Sequence, residues 1–335
     1  MKVLVSLPSW QVETLRIKNF EWEKTAKVEY VNPHDESALV KEIVDADILV
    51  AQGGGGMLIT AKVIAAGSKL KMIQTFAVGY EYIDCEAATK QGIMVCNTGG
   101  ANAESVAEMA WGLILGLARQ IPGGDRLIRE GEWEGFLPKR HMLVEGKTLG
   151  IVGFGAIGRI VGKIGRFAFN MNLLTYDPFI IPETVELFGG ELASLEAVLK
   201  ESDVVSINCP LTEATRHMIR ERELRMMKPT AILVNTARGA IIDEASLIEC
   251  LSEGVITGAA LDVFEVEPLP IDSPLRQMDN VLLSPHLGTC PEVHAKLSVA
   301  VVKNVTRFLQ GARPMRVVNP SYIVALASKI VESSL

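Results

Sequence analysis

Short apolar runs rich in β-branched residues alternate with helical repeats along most of the chain. In the first hundred residues, the runs that predict strands are Val3–Leu7, Asp47–Ala51, Lys71–Thr75 and Ile93–Cys96. The segments between them, such as Glu36–Val44 and Cys85–Gln91, predict helices. Because strands that alternate with helices form parallel sheets, this part of the chain predicts a small doubly wound α/β domain.

A long amphipathic helix is predicted after this region. It should begin near Asn102, a suitable N-cap residue, because Val106 and Ala110 follow at a spacing that places them on one apolar face. The pair Gly123-Gly124 would end or interrupt it. We interpret this helix as the crossover into a second domain.

The second half of the chain repeats the alternating pattern. Its predicted strands are Thr148–Val152, Asn172–Tyr176, Asp203–Asn208, Ala231–Asn235, Thr257–Leu261 and Asn280–Ser284. A helical segment from about Pro291 to Leu309 should return the chain to the first domain. The predicted fold class is α/β, with two doubly wound parallel-sheet domains and a cleft between them. One is a flavodoxin-like domain of residues 1–100 together with 292–335, and the other is an inserted Rossmann domain of residues 101–291.

Composition narrows the class of protein further. The chain has 335 residues, 48% of them hydrophobic and 22% charged, as in globular proteins large enough for two cores. A net charge of −7 without a basic cluster disfavours binding to nucleic acid. Five scattered cysteines without a CxxC pair indicate reduced thiols, and no apolar run is long enough for a signal peptide or a membrane span. We therefore expect a cytoplasmic protein with no membrane partner and no metal site.

The run Gly153-Phe-Gly-Ala-Ile-Gly158 carries the strongest chemical signal in the chain. It lies between a predicted strand and a predicted helix, and Asp177 ends the next strand 19 residues after Gly158. This context is typical of a dinucleotide-binding turn. Gly153 would permit the tight turn, Gly155 would admit the pyrophosphate, and Gly158 would let the helix pack on the sheet.

The helix N-terminus and the acidic residue complete the predicted cofactor site. The N–H groups of Ala156 and Ile157 would bind the phosphates at the positive end of the helix dipole. Asp177 would accept hydrogen bonds from the adenosine ribose, although the same carboxylate could simply begin a turn with Pro178. A carboxylate repels a 2′-phosphate, and no Arg or Lys occurs in residues 176–182, so the sequence predicts NAD rather than NADP.

Reactive side chains follow three later strands of the same domain. Arg238 can bind a carboxylate through two N–H groups, and His286 can transfer a proton near neutral pH. A carboxylate could hold the imidazole and favour its charged form, and spacing leaves Glu265 and Glu267 as equal candidates. Because ligands bind beyond the carboxyl ends of parallel strands, these side chains should converge beside the nicotinamide. Taken singly, Arg238 could instead be a surface residue and His286 a structural one.

Seven ordered motifs give the chain a specific resemblance to a known family. They are Phe76-Ala-Val-Gly-Tyr80, Glu104-Ser-Val-Ala-Glu108, Gly153-Phe-Gly-Ala-Ile-Gly158, Pro210-Leu-Thr-Glu-Ala-Thr-Arg-His217, Val234-Asn-Thr-Ala-Arg-Gly239, Ala260-Leu-Asp-Val-Phe264 and Ser284-Pro-His-Leu-Gly288. Over nearly its whole length the chain resembles the D-isomer-specific 2-hydroxyacid dehydrogenases, which include phosphoglycerate, glycerate, glyoxylate/hydroxypyruvate and D-lactate dehydrogenases. The resemblance implies an NAD-dependent oxidoreductase that transfers hydride between NADH and a small 2-keto acid, or from a D-2-hydroxy acid in reverse.

The resemblance also implies roles for individual residues. It places the catalytic Arg on Arg238, the proton-transferring His on His286 and the supporting Glu on Glu267. It places the substrate carboxylate on backbone N–H groups of the loop at Val78 and Gly79. A glycine after a strand suits an anion-binding concavity there, and a simple tight turn is the alternative.

Several cofactor contacts are implied by the resemblance alone. Asp262 matches the carboxylate that holds the nicotinamide carboxamide, and Thr236 and Ala237 match backbone contacts to the nicotinamide end. Cys209 and Pro210 match a loop near the adenosine. The full predicted cofactor-binding set is Gly153, Gly155, Ala156, Ile157, Gly158, Asp177, Cys209, Pro210, Thr236, Ala237, Asp262 and Gly288.

Substrate choice and subunit contacts are the least determined features. The loop Gln52-Gly-Gly-Gly-Gly56 has no basic residue, which disfavours 3-phosphoglycerate, and its glycines either leave room for a larger substrate or serve a flexible loop. In glyoxylate/hydroxypyruvate relatives, a residue near Gly135–Pro138 reaches the active site of the neighbouring subunit. We therefore expect a homodimer formed around this region and the helix from Asn102, with Trp133 and Phe136 as contacts. An exposed hairpin is the alternative.

Two other classes of protein share these motifs. NAD-sensing corepressors resemble the family and keep the three catalytic positions, so those positions do not separate a binding protein from an enzyme. Oxidation of formate or phosphite on the same fold would also use Arg238 and an anion-binding loop. Turnover with 2-keto acids, 2-hydroxy acids or small inorganic donors separates the three classes.

Overall fold

The computed structural model describes residues 1–16, 21–52, 58–133 and 141–333, which fall into two units. Unit 1 comprises Met1–Asn102 and Cys290–Leu335, and unit 2 comprises Ala103–Thr289. The glycines at positions 53–56 and the segment 135–138, which carry the predicted substrate and dimer contacts, lie outside the described residues. Within the described ranges, no helix is long and apolar enough to cross a membrane.

Unit 1 contains a five-stranded parallel sheet. Its strands are β1 (Lys2–Ser6), β2 (Lys27–Tyr30), β3 (Ile48–Ala51), β4 (Met72–Thr75) and β5 (Met94–Cys96). Their order is β2-β1-β3-β4-β5, with every residue of β1, β3 and β4 buried. This is the predicted flavodoxin-like order, in which the chain reverses its progress between β1 and β3.

Strand β2 is the element of this sheet that the sequence pattern did not predict. It lies at the edge of the sheet and none of its four residues is buried. A strand that faces solvent needs no continuous apolar run, so the signal for it is weak. Lys2 on β1 forms an ion pair at 2.6 Å with Glu29 on β2, which adds a polar contact to the strand pairing.

Side chains cap three of the helices described in unit 1. The four that precede residue 100 are α1 (Ser9–Arg16), α2 (Glu36–Glu42), α3 (Ala61–Ala66) and α4 (Cys85–Lys90). Asp35, Thr60 and Asp84 each accept a hydrogen bond from a backbone N–H in the first turn of α2, α3 and α4. These caps satisfy N–H groups that the helix itself leaves unpaired.

Unit 2 contains a seven-stranded parallel sheet. Its strands are β6 (Thr148–Val152), β7 (Asn172–Tyr176), β8 (Glu191–Leu192), β9 (Val204–Ile207), β10 (Ile232–Asn235), β11 (Gly258–Leu261) and β12 (Val281–Leu283). Their order is β8-β7-β6-β9-β10-β11-β12, so the chain reverses between β6 and β9. Ligands of open parallel sheets bind beyond the carboxyl ends of the strands at such a point. The short edge strand β8, with neither residue buried, was not predicted.

Helices cover both faces of this sheet. They are α5 (Ala103–Ala118), α6 (Ile121–Arg129), α7 (Ala156–Ala168), α8 (Pro182–Glu186), α9 (Leu195–Glu201), α10 (Glu221–Leu224) and α11 (Glu244–Glu253). Trp111 on α5 donates to the carbonyl of Val161 on α7 at 3.1 Å and stacks on Phe169 with 4.6 Å between ring centroids. Two further helices, α12 (Pro291–Leu309) and α13 (Tyr322–Ser333), belong to unit 1 and pack on α1 and α4.

Helix α5 begins where the sequence predicts it but differs from the prediction in its cap and in its end. It begins at Ala103, after a turn, and the buried Oδ1 atom of Asn102 accepts no hydrogen bond within the described chain, so Asn102 is not the predicted cap. The helix ends at Ala118 because Gln120 adopts a left-handed conformation with φ 53°. The pair Gly123-Gly124 lies inside α6 and does not end α5.

Candidate active site

The three motif glycines between β6 and α7 are required for three different reasons. Gly153 has φ 95°, and a Cβ there would lie 2.6 Å from the backbone nitrogen of Cys209. A Cβ at Gly158 would overlap the carbonyl oxygen of Gly153, so only glycine lets α7 approach the turn. Gly155 has open space where its Cβ would stand, which is the side from which a pyrophosphate can approach the backbone.

The N-terminus of α7 offers unpaired donors at this turn. Gly155 is the N-cap residue and contributes no side chain, so the first N–H groups of the helix, including those of Ala156 and Ile157, have no side-chain cap. Gly155 and Ala156 are exposed. Arg159 donates from Nε to the carbonyl oxygen of Phe154 at 3.0 Å and adds a positive charge in the same turn. The sequence analysis missed Arg159, although its position directly after the last motif glycine could have indicated it.

Asp177 supports the glycine turn at the end of β7. Its Oδ2 accepts the N–H of Phe154 at 2.8 Å, and its Oδ1 accepts the N–H of Phe179 at 2.9 Å. Each carboxylate oxygen keeps a second lone pair, which a ribose hydroxyl can use. Burial, with a small contribution from the Asp177 charge, raises the pKa of the neighbouring Cys209 thiol to about 11, so this thiol stays protonated at neutral pH.

The loop after β10 contains a buried group suited to a bound cofactor. Thr236 is 7% exposed, and its Oγ1 has no hydrogen-bond partner within the described ranges. The backbone of Ala237 is already engaged, because its N–H donates to Asn235 at 3.0 Å and its carbonyl accepts from Arg238 Nη1 at 2.6 Å. Together with the open face at Gly155, the Thr236 hydroxyl fits a dinucleotide.

Asp262 holds the loop that carries His286. Its two carboxylate oxygens accept the backbone N–H groups of Leu287 at 2.8 Å and Gly288 at 2.9 Å, and the side chain is buried. Ser105, in the first turn of α5, donates to the carbonyl of Gly288 at 2.8 Å. The sequence analysis did not identify Ser105 and Asp262 as residues that hold this loop, because no sequence pattern brings residues 105, 262 and 288 together.

His286 and Glu267 form a hydrogen-bonded pair at the ends of β12 and β11. His286 Nδ1 donates to Glu267 Oε2 at 2.7 Å, and Glu267 Oε1 accepts the N–H of Phe264 at 3.0 Å. The backbone of His286 is left-handed, with φ 56°, and its N–H donates to the carbonyl of Asp262 at 2.9 Å. The pairing through Nδ1 leaves Nε2 as the ring atom that can exchange a proton with a ligand.

The electrostatics of the pair favour a charged imidazole. The hydrogen bond to Glu267 raises the pKa of His286 above its ordinary value of about 6.5, although burial and the nearby Arg238 cation lower it. Burial alone would raise the pKa of the Glu267 carboxyl, but the hydrogen bonds from His286 and Phe264 bring it below its usual range. The opposite directions of the two shifts are those of an ion pair.

Arg238 is placed by the close approach of two loops. A Cβ at Gly239 would overlap the carbonyl group of Phe264, so the loop after β10 can touch the loop after β11 only because residue 239 is glycine. The Arg238 charge contributes to the pKa shifts of both Glu267 and His286, which places the three side chains in one electrostatic environment. The structure thus brings together the predicted residues Arg238, Glu267 and His286.

Glu265, the alternative partner of His286, contacts a different histidine. His217 Nε2 and Glu265 Oε1 form a short hydrogen-bonded contact. Glu265 Oε2 accepts the N–H of Glu244 at the start of α11. The carboxylate in contact with His286 is therefore that of Glu267, a distinction that spacing along the chain left open.

In unit 1, the loop after β4 presents two backbone N–H groups. The carbonyl of Ala77 accepts from the Thr75 hydroxyl at 2.6 Å and from the Thr98 N–H at 3.0 Å. The carbonyl of Val78 accepts from Asn97 Nδ2 at 2.7 Å. Since N–H and C=O point in opposite directions across a trans peptide, these bonds direct the N–H groups of Val78 and Gly79 to the other side. Neither N–H donates to another group in the part of the chain that is described.

Comparison with known proteins assigns the chain to a family. The model of the D-isomer specific 2-hydroxyacid dehydrogenase NAD-binding domain matches residues 111–288, which is more than half of the chain. The chain belongs to the D-isomer-specific 2-hydroxyacid dehydrogenase family. The predicted family, the doubly wound α/β fold and the cofactor NAD are confirmed. The protein is accordingly an NAD-dependent oxidoreductase that acts on 2-hydroxy acids and the corresponding 2-keto acids.

Individual members of the family are similar over most of the chain. A glyoxylate reductase of Korarchaeum cryptofilum is 41% identical over 87% of this chain and 88% of its own length. A D-3-phosphoglycerate dehydrogenase of Methanocaldococcus jannaschii is 42% identical over 89% of this chain and 56% of its own length. The crystal structure of D-lactate dehydrogenase from Aquifex aeolicus, complexed with NAD and lactic acid, superposes with a TM-score of 0.81. It covers 93% of this chain and 96% of the other, at 28% identity.

Replacing Gly155 with Ala should weaken NADH binding and leave the fold intact. The added Cβ meets no protein atom within 4 Å, and the backbone conformation at this residue suits alanine, but the methyl group occupies the approach of the pyrophosphate. We expect the NADH dissociation constant, measured by titration calorimetry, to rise about tenfold, or ~1.4 kcal/mol. The melting temperature should not change.

Gly112→Ala is the matched control for this variant. Its Cβ also meets no atom within 4 Å, but it lies on the exposed face of α5, away from the glycine turn. NADH affinity should stay at the wild-type value in this variant. Equal NADH affinities in wild type, Gly155→Ala and Gly112→Ala would contradict the assignment of the phosphate site to the glycine turn.

Proposed function

We propose that the chain reduces glyoxylate, hydroxypyruvate or a related small 2-keto acid with NADH, and oxidises the corresponding D-2-hydroxy acid in reverse. The observation that carries the proposal is the Glu267–His286 ion pair beside Arg238, at the carboxyl ends of strands in an NAD-binding unit. The substrate class is supported by relatives named glyoxylate reductase, which are 38–43% identical over 78–95% of the chain.

In this proposal, His286 is the proton donor and acceptor. Glu267 accepts a hydrogen bond from Nδ1 and keeps the imidazole charged, so that Nε2 can donate a proton to the carbonyl oxygen as it becomes a hydroxyl. In the reverse reaction, neutral His286 accepts the proton of the substrate hydroxyl at the same atom. Arg238 binds the substrate carboxylate through its guanidinium group and polarises the adjacent carbonyl.

The Val78–Gly79 loop of unit 1 is proposed by itself as a binding group for a carboxylate. Consecutive backbone N–H groups that lack a partner among the described residues are the donors that an anion-binding concavity requires. Such donors bind a charged oxygen without a charged side chain. The proposal rests on the bonds that fix the carbonyls of Ala77 and Val78.

NADH supplies the hydride when it is bound. The residues proposed to hold it are the glycine turn and the N-terminus of α7 at the pyrophosphate, Asp177 at the ribose, and Thr236 and Asp262 at the nicotinamide end. The open face at Gly155 and the buried Thr236 hydroxyl support this assignment. Ala237, Gly288, Cys209 and Pro210 remain predictions for the same set, and we add Arg159 to it.

Formate oxidation is the alternative with structural support, since an NAD-dependent formate dehydrogenase from Staphylococcus aureus superposes with a TM-score of 0.80 at 29% identity. Formate has no hydroxyl proton to transfer, so a proton-exchanging pair such as Glu267–His286 has less purpose in that reaction. The pair therefore favours a hydroxy acid.

We also propose that the protein is a cytoplasmic homodimer. Helix α6 has no buried residue, although it carries Ile121 and Ile128, which are 59% and 54% exposed. Trp133 is 83% exposed and Leu143 is 65% exposed on either side of the segment that lies outside the described residues. Ile121 and Ile128 are seven residues apart and so lie on one face of α6, and an exposed apolar face is typical of a subunit interface. All five cysteines are free, as expected in a reducing compartment.

Turnover with a panel of acids tests the proposed reaction. NADH consumption should be fastest with glyoxylate or hydroxypyruvate, and NAD reduction with formate or phosphite should be undetectable. His286→Ala should lower kcat for the best keto acid by about 100- to 10,000-fold, the usual contribution of a general acid, with NADH binding retained. Turnover of formate alone, or an unchanged kcat in His286→Ala, would contradict the proposal.

The pH dependence of both directions should report the His286 pKa. Reduction needs the charged imidazole, so kcat/KM for the keto acid should fall as pH rises through a pKa above the ordinary histidine value. Oxidation needs the neutral imidazole and should gain activity across the same pH range. Glu267→Gln removes the carboxylate that raises this pKa, so both transitions should move to lower pH. Profiles that do not move would contradict the role of Glu267.

The dimer should depend on α6. Light scattering after size exclusion should give twice the chain mass of 36.4 kDa for wild type, and Ile128→Glu should shift the protein towards one chain mass because a charge would enter the interface. Phe167→Glu is the control, because Phe167 is 68% exposed on α7 of the same unit. A monomeric wild type, or equal effects of both variants, would contradict the proposed interface.

A further inference from the structure

Unit 2 contains a second histidine–carboxylate pair, formed by His217 and Glu265. The imidazole Nε2 donates to Glu265 Oε1, and one residue separates Glu265 from Glu267. The two side chains are 30% and 29% exposed, against 47% for His286 and 37% for Glu267. The second pair is therefore better shielded from water than the pair proposed to exchange the proton.

The backbone of His217 is fixed by its neighbours. It adopts a left-handed conformation with φ 50°, which residues other than glycine keep only when the surroundings hold them. Its N–H donates to the carbonyl of Ala240 at 2.8 Å, and its carbonyl accepts from Arg220 Nε at 2.8 Å. Ala240 follows Arg238 by two residues, so His217 is bonded directly to the loop that carries Arg238.

Glu265 is held on its other side by the start of α11. Its N–H donates to Glu244 Oε2 at 3.1 Å, and its Oε2 accepts the N–H of Glu244 at 3.4 Å. One carboxylate oxygen thus contacts His217 and the other contacts the helix. The charged groups around the imidazole in these contacts are the carboxylate of Glu265, the guanidinium of Arg220 and, through Glu265, the carboxylate of Glu244.

The segment from Phe264 to Glu267 lies between these contacts and the proposed catalytic residues. The Phe264 carbonyl touches Gly239, where no Cβ can fit, and the Phe264 N–H donates to Glu267 Oε1 at 3.0 Å. A displacement of Glu265 would move this short segment as a whole. Glu267 would then lose the 2.7 Å geometry of its hydrogen bond with His286.

We propose that His217 and Glu265 are positioning residues for the oxidoreductase reaction, because their contact holds the segment that carries Glu267 against the loop that carries Arg238. The inference rests on the roles proposed above for Glu267 and His286. The His217–Glu265 contact links the loops that follow β9, β10 and β11. Of these three loops, those after β10 and β11 carry the proposed catalytic side chains. The pair touches no reacting atom and acts through Glu267.

His217→Ala and Glu265→Ala test the proposal through the pH profile. The kcat/KM for keto-acid reduction should fall about 10- to 100-fold, as expected for a misplacement of roughly 1 Å near the reacting groups. The loss of kcat/KM at high pH should also begin at lower pH, because a displaced Glu267 supports the charged imidazole less well. The dissociation constant for NADH should stay near the wild-type value. His217→Gln keeps an N–H donor and should recover part of the activity and of the wild-type profile.

A purely structural role makes a different prediction. It would lower the melting temperature and the yield of active enzyme but leave the pH at which kcat/KM declines unchanged. Wild-type profiles in both alanine variants would therefore overturn the proposal. Arg225→Ala is the control, since it removes ion pairs of 2.8 and 2.7 Å with Glu221 and Glu253 in the same unit, away from these loops. A shift of equal size in Arg225→Ala would also overturn the proposal.

A double-mutant cycle with Glu267→Gln separates this inference from the proposed function. If His217 acts through Glu267, His217→Ala should move the profile no further in the Glu267→Gln background. A further shift of full size would overturn the inference. A shift in Glu267→Gln without any in His217→Ala overturns the inference alone, whereas an unmoved profile in Glu267→Gln overturns the proposed role of Glu267 and this inference with it.

Discussion

The site in unit 2 depends on the close approach of the loops that follow β10, β11 and β12. Gly239 leaves no space between its backbone and the carbonyl of Phe264. Asp262 uses both carboxylate oxygens to bind the backbone after His286. Because these contacts are made by backbone and buried groups, the side chains of the loops have little freedom to separate. The parallel sheet supplies the common edge, and the glycine and the aspartate fix the distances across it.

This constraint determines the charge balance at the site. A cationic Arg238 suits an acid substrate, but the same charge disfavours a second positive charge on His286. Glu267 resolves the conflict, since its hydrogen bond and its charge, together with the charge of Asp262, raise the His286 pKa by more than burial and the arginine lower it. The ion pair is consequently what allows the proposed anion-binding residue, Arg238, and the proposed proton donor, His286, to lie in one site. The His217–Glu265 contact is the proposed support for the segment that carries Glu267.

Much of this architecture could be predicted from the sequence, and the exceptions have physical causes. The buried strands, the glycine turn and Asp177 are local patterns, so short windows of sequence reveal them. Strand β2 lies at a solvated edge, and Asn102 precedes the helix in a turn that does not direct its side chain at the first N–H groups. Neither the solvated edge strand nor the direction of the Asn102 side chain produces a periodic pattern of apolar residues in the sequence.

Contacts between residues that are far apart in the sequence could not be predicted either. His217 and Glu265 are 48 positions apart, and Ser105 is 183 positions from Gly288. Spacing along the sequence could not decide whether Glu265 or Glu267 contacts His286, because both residues follow β11 closely. Which of the two faces His286 depends on how the chain turns between them. The resemblance to a family assigned the role to Glu267, the glutamate before Pro268. The folded loop gives the physical reason, because Glu265 contacts His217 instead.

Titration of the histidines by NMR measures the central claim most directly. The chain has five histidines, so the His286 signal can be assigned by its loss in His286→Gln. In the NAD-bound enzyme, the signal should titrate with a pKa above about 6.5 in wild type and with a lower pKa in Glu267→Gln. A wild-type His286 pKa at or below the ordinary value, or one that Glu267→Gln leaves unchanged, would contradict the account.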